Sequence, residues 1–296
     1  NISGVRHLLT DSITGPSVYM GAGKTLHSNE TFTSNTYGEF TSFDDNGFTV
    51  KYWSGSQYFN TTGKNYVSWN WKASDHDRNL PAINNDGSIP SVVSANPQAG
   101  FSIVSWVGTQ VNDSIGHGLL NSPEIIILKD TSNSYNWYVY TKPSGASNNL
   151  RLEGLNTSSG ATTQNSQFTT TSTLIENLTT FASTNTSGAS MLAYCWHTVA
   201  GYSKIGTYTI SSSSDRIITS LGFTPSWVMI KRTDNSGNWV IFDSARGDDD
   251  DYLYANTNAI EGTTGFTFSL DTDGFTVGTA TWIGGTGGTY LYMAFK

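Results

Sequence analysis

Carboxylates are the side chains of this 296-residue chain with the most chemistry to offer. A glycoside hydrolase needs two of them held at a defined separation across a sugar. The six glutamates (Glu30, Glu39, Glu124, Glu153, Glu176 and Glu261) are scattered without paired spacing, and most aspartates stand beside Gly or Asn, where they serve turns. Calcium takes oxygen ligands in flexible geometry. Its candidates are Asp248 and Asp250 in the run Asp248 to Asp251, and Asp271 and Asp273 in Asp271-Thr-Asp-Gly274. Four adjacent aspartates cannot all turn toward one ion, and the second string lacks the later glutamate of a calcium loop. A solvated loop and a turn are therefore the expected roles, with no metal and no other cofactor. His7, His27, His76, His117 and His197 are too dispersed for a zinc set. Gly21-Ala-Gly-Lys-Thr25 looks like the end of a phosphate loop. However, Val18 stands where the motif has glycine, and Leu26-His-Ser-Asn29 reads as strand and turn instead of the required helix. There is no Gly-x-Ser-x-Gly nucleophile elbow. The single cysteine, Cys195, lies in the apolar run Met191 to Trp196 and reads as a buried structural thiol that cannot form an internal disulfide. The expectation is a protein that is not an enzyme, with a hydrolase assembled from distant carboxylates as the alternative.

Aromatic rings carry more information. Trp69, Trp71, Trp106, Trp137, Trp196, Trp227 and Trp239 fall inside apolar or alternating runs and are expected in the core. Trp53 and Tyr58, and Trp282 at the matching place near the C-terminus, sit instead among Gly and Ser. A ring in such a loop stacks on sugars or anchors a partner. These three are the candidate ligand-binding residues, with packing between neighbouring domains as the competing role.

The elements that must position them read as nearly all β. Ser, Thr, Asn and Gly dominate the polar residues, only 13% of residues are charged, and apolar residues nowhere recur at helical spacing over three turns. The net charge of −8, with no basic cluster, excludes nucleic acid as a partner. No apolar stretch approaches the roughly 20 residues of a membrane-spanning helix, so no membrane insertion is expected. The chain opens NISGVRHLLT, without initiator methionine or signal peptide, and residue 1 is expected not to be the start of the gene.

Internal duplication organises the chain. Pro123-Glu-Ile-Ile-Ile-Leu-Lys129 with Asn136-Trp137 returns as Pro225-Ser-Trp-Val-Met-Ile-Lys231 with Asn238-Trp239, a repeated β-hairpin. Closing runs align at Tyr66 to Trp71, Met191 to Trp196 and Leu291 to Phe295. Asp44-x-x-Gly47-Phe-Thr-Val50 matches Asp271-x-x-Gly274-Phe-Thr-Val277, Asp11-Ser12 matches Asp243-Ser244, and Leu26 to Asn29 matches Leu253 to Asn256. The resulting expectation is tandem antiparallel β-sandwich repeats of about 95 residues. Residues 1–72 are the C-terminal part of a first repeat lacking its hairpin, 73–99 a linker lying along the surface, 100–200 a second repeat and 201–296 a third.

These strings resemble a repeat family of tail-fibre-like structural proteins of tailed bacteriophages, often marine or cyanobacterial. The residues carrying the resemblance are Ala99 to Ser105, Ile115-Gly-His-Gly-Leu119, Pro123 to Lys129 and Tyr194-Cys-Trp-His197 with Gly201-Tyr-Ser-Lys204. Gly222-Phe-Thr-Pro225, Ile230 to Thr233, Trp239 to Ser244 and Gly288 to Phe295 extend it over nearly the whole chain. The acidic run Asp248 to Asp251 departs from it. The resemblance implies lectin-like or jelly-roll sandwiches, a virion location on a tail or capsid-surface fibre, extracellular action and a homotrimer. The implied partners are other virion proteins and a host surface glycan or protein receptor. The expected function is multivalent host attachment. Alternatives are a structural decoration or connector protein, a polysaccharide depolymerase and a cellular surface adhesin.

Overall fold

The computed structural model describes residues 7–14, 25–33, 40–51, 60–74, 81–142, 150–153, 161–163, 169–178, 182–246, 250–263 and 265–296. The protein is nearly all β, built from several antiparallel sheets, none closed into a barrel among the described residues. The N-terminal strands are β1 (Leu8–Leu9), β2 (Leu26–His27), β3 (Phe40–Asp44) and β4 (Gly47–Val50), paired β1 with β2 and β3 with β4. Next come β5 (Ala82–Asn84), β6 (Ser91–Asn96), β7 (Phe101–Val107), β8 (Asp113–Gly116), β9 (Ile125–Asp130), β10 (Tyr138–Thr141), β11 (Leu150–Glu153), β12 (Ala161–Thr163), β13 (Thr169–Thr170) and β14 (Leu174–Leu178). A short helix, α1 (Ala182–Asn185), the only one among the described residues, precedes β15 (Ser190–Trp196). The chain continues through β16 (Ser203–Thr209), β17 (Arg216–Ile218), β18 (Trp227–Arg232), β19 (Trp239–Asp243), β20 (Tyr252–Tyr254), β21 (Phe268–Asp271), β22 (Gly274–Val277) and β23 (Thr289–Phe295).

Two large sheets form the middle of the molecule. One has the order β12-β11-β10-β9-β15-β7-β6-β5 and the other β16-β23-β18-β19-β20. The run β7-β15-β9-β10-β11 in the first reproduces the order of the whole second sheet. Each is backed by a three-stranded sheet, β13-β14-β8 or β17-β22-β21, whose strands follow the same chain order. Residues 73–99 contain β5 and β6, which widen the first sheet by pairing Val92 with Ser105. The β-branched Ile83, Val92 and Val93 fit that pleated edge.

The long apolar runs follow from burial on both faces. An antiparallel strand with one wet face alternates apolar and polar residues, whereas a strand covered on both sides favours apolar residues at consecutive positions. In β9, Ile125 and Ile127 enter a core shared by the two large sheets, while Ile126 and Leu128 face the backing sheet. In β18, Trp227 and Met229 enter the shared core, while Val228 and Ile230 face theirs. Cys195 lies on the backing face of β15, fully buried, and burial pushes its thiol up to about 12, which suits a packing role.

Both runs close on a buried lysine. Nζ of Lys129 donates to the carbonyls of Asp130 (2.6 Å) and Asn133 (3.2 Å), and that of Lys231 donates to Gly237 O. Each ammonium thus ties the hairpin turn to the strand behind it. Burial pushes both lysines down to about 8, and Asp130 partly offsets this at Lys129.

The run Tyr66 to Trp71 differs from its expectation as a strand. Val67, Trp69 and Trp71 are half-buried and Tyr66, Ser68 and Asn70 exposed, so the alternation holds. Yet the segment joins no ladder among the described residues. Its inward rings reach the shared core, where Trp71 meets Trp196, Trp227 and Phe295 edge-on at 6.2, 5.4 and 5.6 Å.

Candidate functional site

Trp282 is held by a loop whose backbone is fixed at several points. Tyr290 Oη donates to Thr281 O (2.8 Å) and accepts from Gly285 N–H (2.8 Å), while Tyr208 Oη donates to Ile283 O (2.6 Å). Arg232 Nη1 adds a bond to Thr281 O at 3.1 Å. Ile283, fully buried, pins the loop into the core. Gly284 is required here, since a Cβ would fall 1.6 Å from Gly278 O.

The indole beyond this anchor is 37% exposed. It rests edge-on against Tyr254 (5.5 Å) and beside Phe266 (6.4 Å), and Tyr252 extends the cluster by contacts of 5.1 Å to Tyr254 and 4.5 Å to Phe266. Burial raises the Tyr254 phenol, with Tyr252 adding to the shift. Arg232 grips Asp234 with two bonds (3.0 and 3.1 Å) and holds its carboxyl below the usual range. The result is a rigid aromatic ledge beside a polar hairpin turn containing Asn235, Gly237 and Asn238. Such a ledge can stack on the apolar face of a sugar ring while amides and carbonyls bond its hydroxyls.

Trp53 and Tyr58, expected to act like Trp282, lie outside the described residues, as does Asp248. Asp271 and Asp273 are engaged in turns. Asp271 accepts from the hydroxyls of Ser269 (3.0 Å) and Thr276 (2.7 Å), and Asp273 accepts from the amides of Gly222 (2.6 Å) and Ser220 (3.1 Å). Asp250 is half-buried near the start of β20. Among the described residues no three His, Cys, Asp or Glu side chains gather at metal-binding distance.

Sequence reasoning missed a second feature, a cleft of about 1070 Å³. The shared core (Trp137, Tyr194, Trp227, Met293) forms its floor, Phe40, Phe43, Phe48 and Val50 its roof, and β1 and residues 64–71 also line it. Its signal in the sequence is the hairpin that residues 1–72 lack, since whether Tyr66–Trp71 has a neighbouring strand cannot be read from the run itself.

The fold and this ledge define a layered β protein with a surface aromatic platform. The chain belongs to the family described as Domain of unknown function (DUF7483), whose model matches residues 3–296. No curated protein and no solved structure matches it.

Proposed function

We propose that this chain is a non-enzymatic virion protein, a segment of a tail or surface fibre that attaches to host-surface glycan through the Trp282 ledge. The carrying observation is an indole left 37% exposed on a loop fixed by two tyrosine hydroxyls and an arginine. An exposed ring held so rigidly loses little conformational entropy when a sugar stacks on it. One such site is weak. Several copies on a fibre, a homotrimer in this proposal, convert weak contacts into avidity by raising the effective concentration of the second encounter. The resemblance of the sequence to phage fibre repeats supports the virion setting.

The test is binding of the intact protein to an array of bacterial envelope polysaccharides, with Trp282→Ala beside it. Saturable binding that Trp282→Ala weakens at least about tenfold, a loss of about 1.4 kcal/mol, is the expected result. Absence of binding to any envelope fraction would favour a structural connector. Release of new reducing ends would overturn the non-enzymatic reading.

A further inference from the structure

The cleft beside Tyr66–Trp71 has an internal reference in the C-terminal half of the same molecule. There β23, β18 and β19 lie side by side, and β18 pairs with both neighbours. Segments matching its two neighbours occur near the N-terminus. Leu9 pairs with Leu26 as Ile241 pairs with Leu253, each two residues before an aspartate. Asp11 accepts from the amides of Ile13 and Thr14, and Asp243 from those of Ala245 and Arg246, again two and three residues on. β1 and β2 therefore correspond to β19 and β20. The inward residues Val67, Trp69 and Trp71 stand for Leu291, Met293 and Phe295 of β23. Residues 7–10 and residues 64–71 both line the cleft, and by the correspondence just drawn the place between them is the one β18 takes in the complete arrangement.

The roof agrees. Hairpin β3–β4 matches β21–β22, with Phe43 opposite Phe48 as Leu270 is opposite Phe275. Thr49 Oγ1 bonds Asp44 as Thr276 Oγ1 bonds Asp271, both at 2.7 Å. But Phe275 is 0% exposed, whereas Phe48 is 37% and Phe43 43% exposed. The same ring at the same register is covered in one place and bare in the other.

We propose that the cleft receives an extended peptide strand, antiparallel to β1 and to residues 66–71, with the residue pattern of β9 and β18. One face of this strand meets the shared core and the other covers Phe43 and Phe48, so it is apolar at consecutive positions. Strand addition of this kind takes its affinity from main-chain bonds and its specificity from alternate side chains. A second copy of residues 1–296 is not the donor. Its β9 and β18 are each paired on both sides, and giving up either would dismantle the donor's central sheet. The occupant is a separate polypeptide strand that carries this apolar pattern.

The test adds a labelled peptide of the sequence Thr224–Arg232 to the intact protein, with a scrambled peptide as control. Saturable binding at one peptide per chain is expected, together with at least about tenfold slower hydrogen exchange of the amides of residues 66–71. Phe48→Asp, at a part-exposed position, shifts the free protein's melting temperature by no more than about 2 °C and weakens the peptide at least about tenfold. Equal binding of the scrambled peptide, no binding, or full protection of amides 66–71 in the free protein overturns the proposal. So does a dimer of the free protein that Phe48→Asp dissociates, since a second copy would then cover the face.

Discussion

The two buried lysines make stability rise with pH where most proteins are indifferent. Lys129 and Lys231 are pushed from 10.5 down to about 8 by burial. Between those values the unfolded chain binds more protons than the folded one, so each lysine costs stability fully below about pH 8 and not at all above about 10.5. Integrating that linkage from about pH 8 to about pH 9.5 gives ~1.5 kcal/mol per lysine, hence about 3 kcal/mol for the pair. In a protein of this size about 3 kcal/mol corresponds to a rise in melting temperature of roughly 5 °C or more. The measurement stops short of about pH 10, where unfolded tyrosines ionise and the raised Tyr194 and Tyr208 begin to act in the opposite direction. Thermal melts of wild type, Lys129→Met, Lys231→Met and the double variant over this range separate the contributions. Each methionine should remove about half of the rise, and the double variant should be flat. Near pH 7 the double variant should be as stable as wild type or more so, because an apolar isostere escapes the desolvation cost. A flat wild-type profile, or a double variant that keeps the wild-type slope, would refute the reasoning.

Three further outcomes are expected. Phe275→Ala should cost ~3–5 kcal/mol in chemical denaturation, the usual cost of emptying a buried phenylalanine site, whereas Phe48→Ala at the matching register should cost under ~1 kcal/mol. Asp11 accepts a bond from the buried Tyr194 hydroxyl (2.8 Å) besides its turn amides, so Asp11→Ala should cost roughly 3 kcal/mol. Adding Tyr194→Phe to that variant should restore about 1 kcal/mol or more by removing the orphaned hydroxyl. His117 is held at about 4 by burial, its Nδ1 accepting from Leu119 N–H (3.1 Å). Its folded value lies below the unfolded one, so stability should fall by up to roughly 3 kcal/mol as the pH drops from about 6.5 to about 4. His117→Asn should flatten that part of the profile relative to wild type.

How far the sequence spoke depended on whether neighbours were needed to interpret it. Ile125–Leu128 and Trp227–Ile230 read directly as strands, because β-branched and aromatic runs bounded by proline and a turn have few other uses. That both faces of these strands are buried did not show, since a short apolar run looks the same against one layer or two. The composition of residues 73–99, rich in Asn, Pro and Ser, pointed to a linker and hid β5 and β6. Two of its strongest strand formers, Ile83 and Val92, face each other across β5 and β6 with their side chains exposed, where solvent tolerates polar flanks. Tyr66–Trp71 shows the limit from the other side. The alternation correctly assigned Val67, Trp69 and Trp71 to the inside, but alternation specifies a face and says nothing about which strand lies alongside. Trp282 was legible as an exposed ring in a Gly-rich loop. Its shelf was not, because Tyr254 and Phe266 reach it from β20 and from the stretch before β21.

The shared core has a consequence for how the molecule comes apart. Residues 100–200 and 201–296 are similar in strand order, yet they are not beads on a string. Ile125, Ile127 and Trp196 from one and Trp227, Met229 and Phe295 from the other fill the same interior. Separating the halves at the corner near Gly201 would strip a wall of tryptophan and isoleucine from each. Heated, the two halves should therefore melt together in one transition, neither outlasting the other.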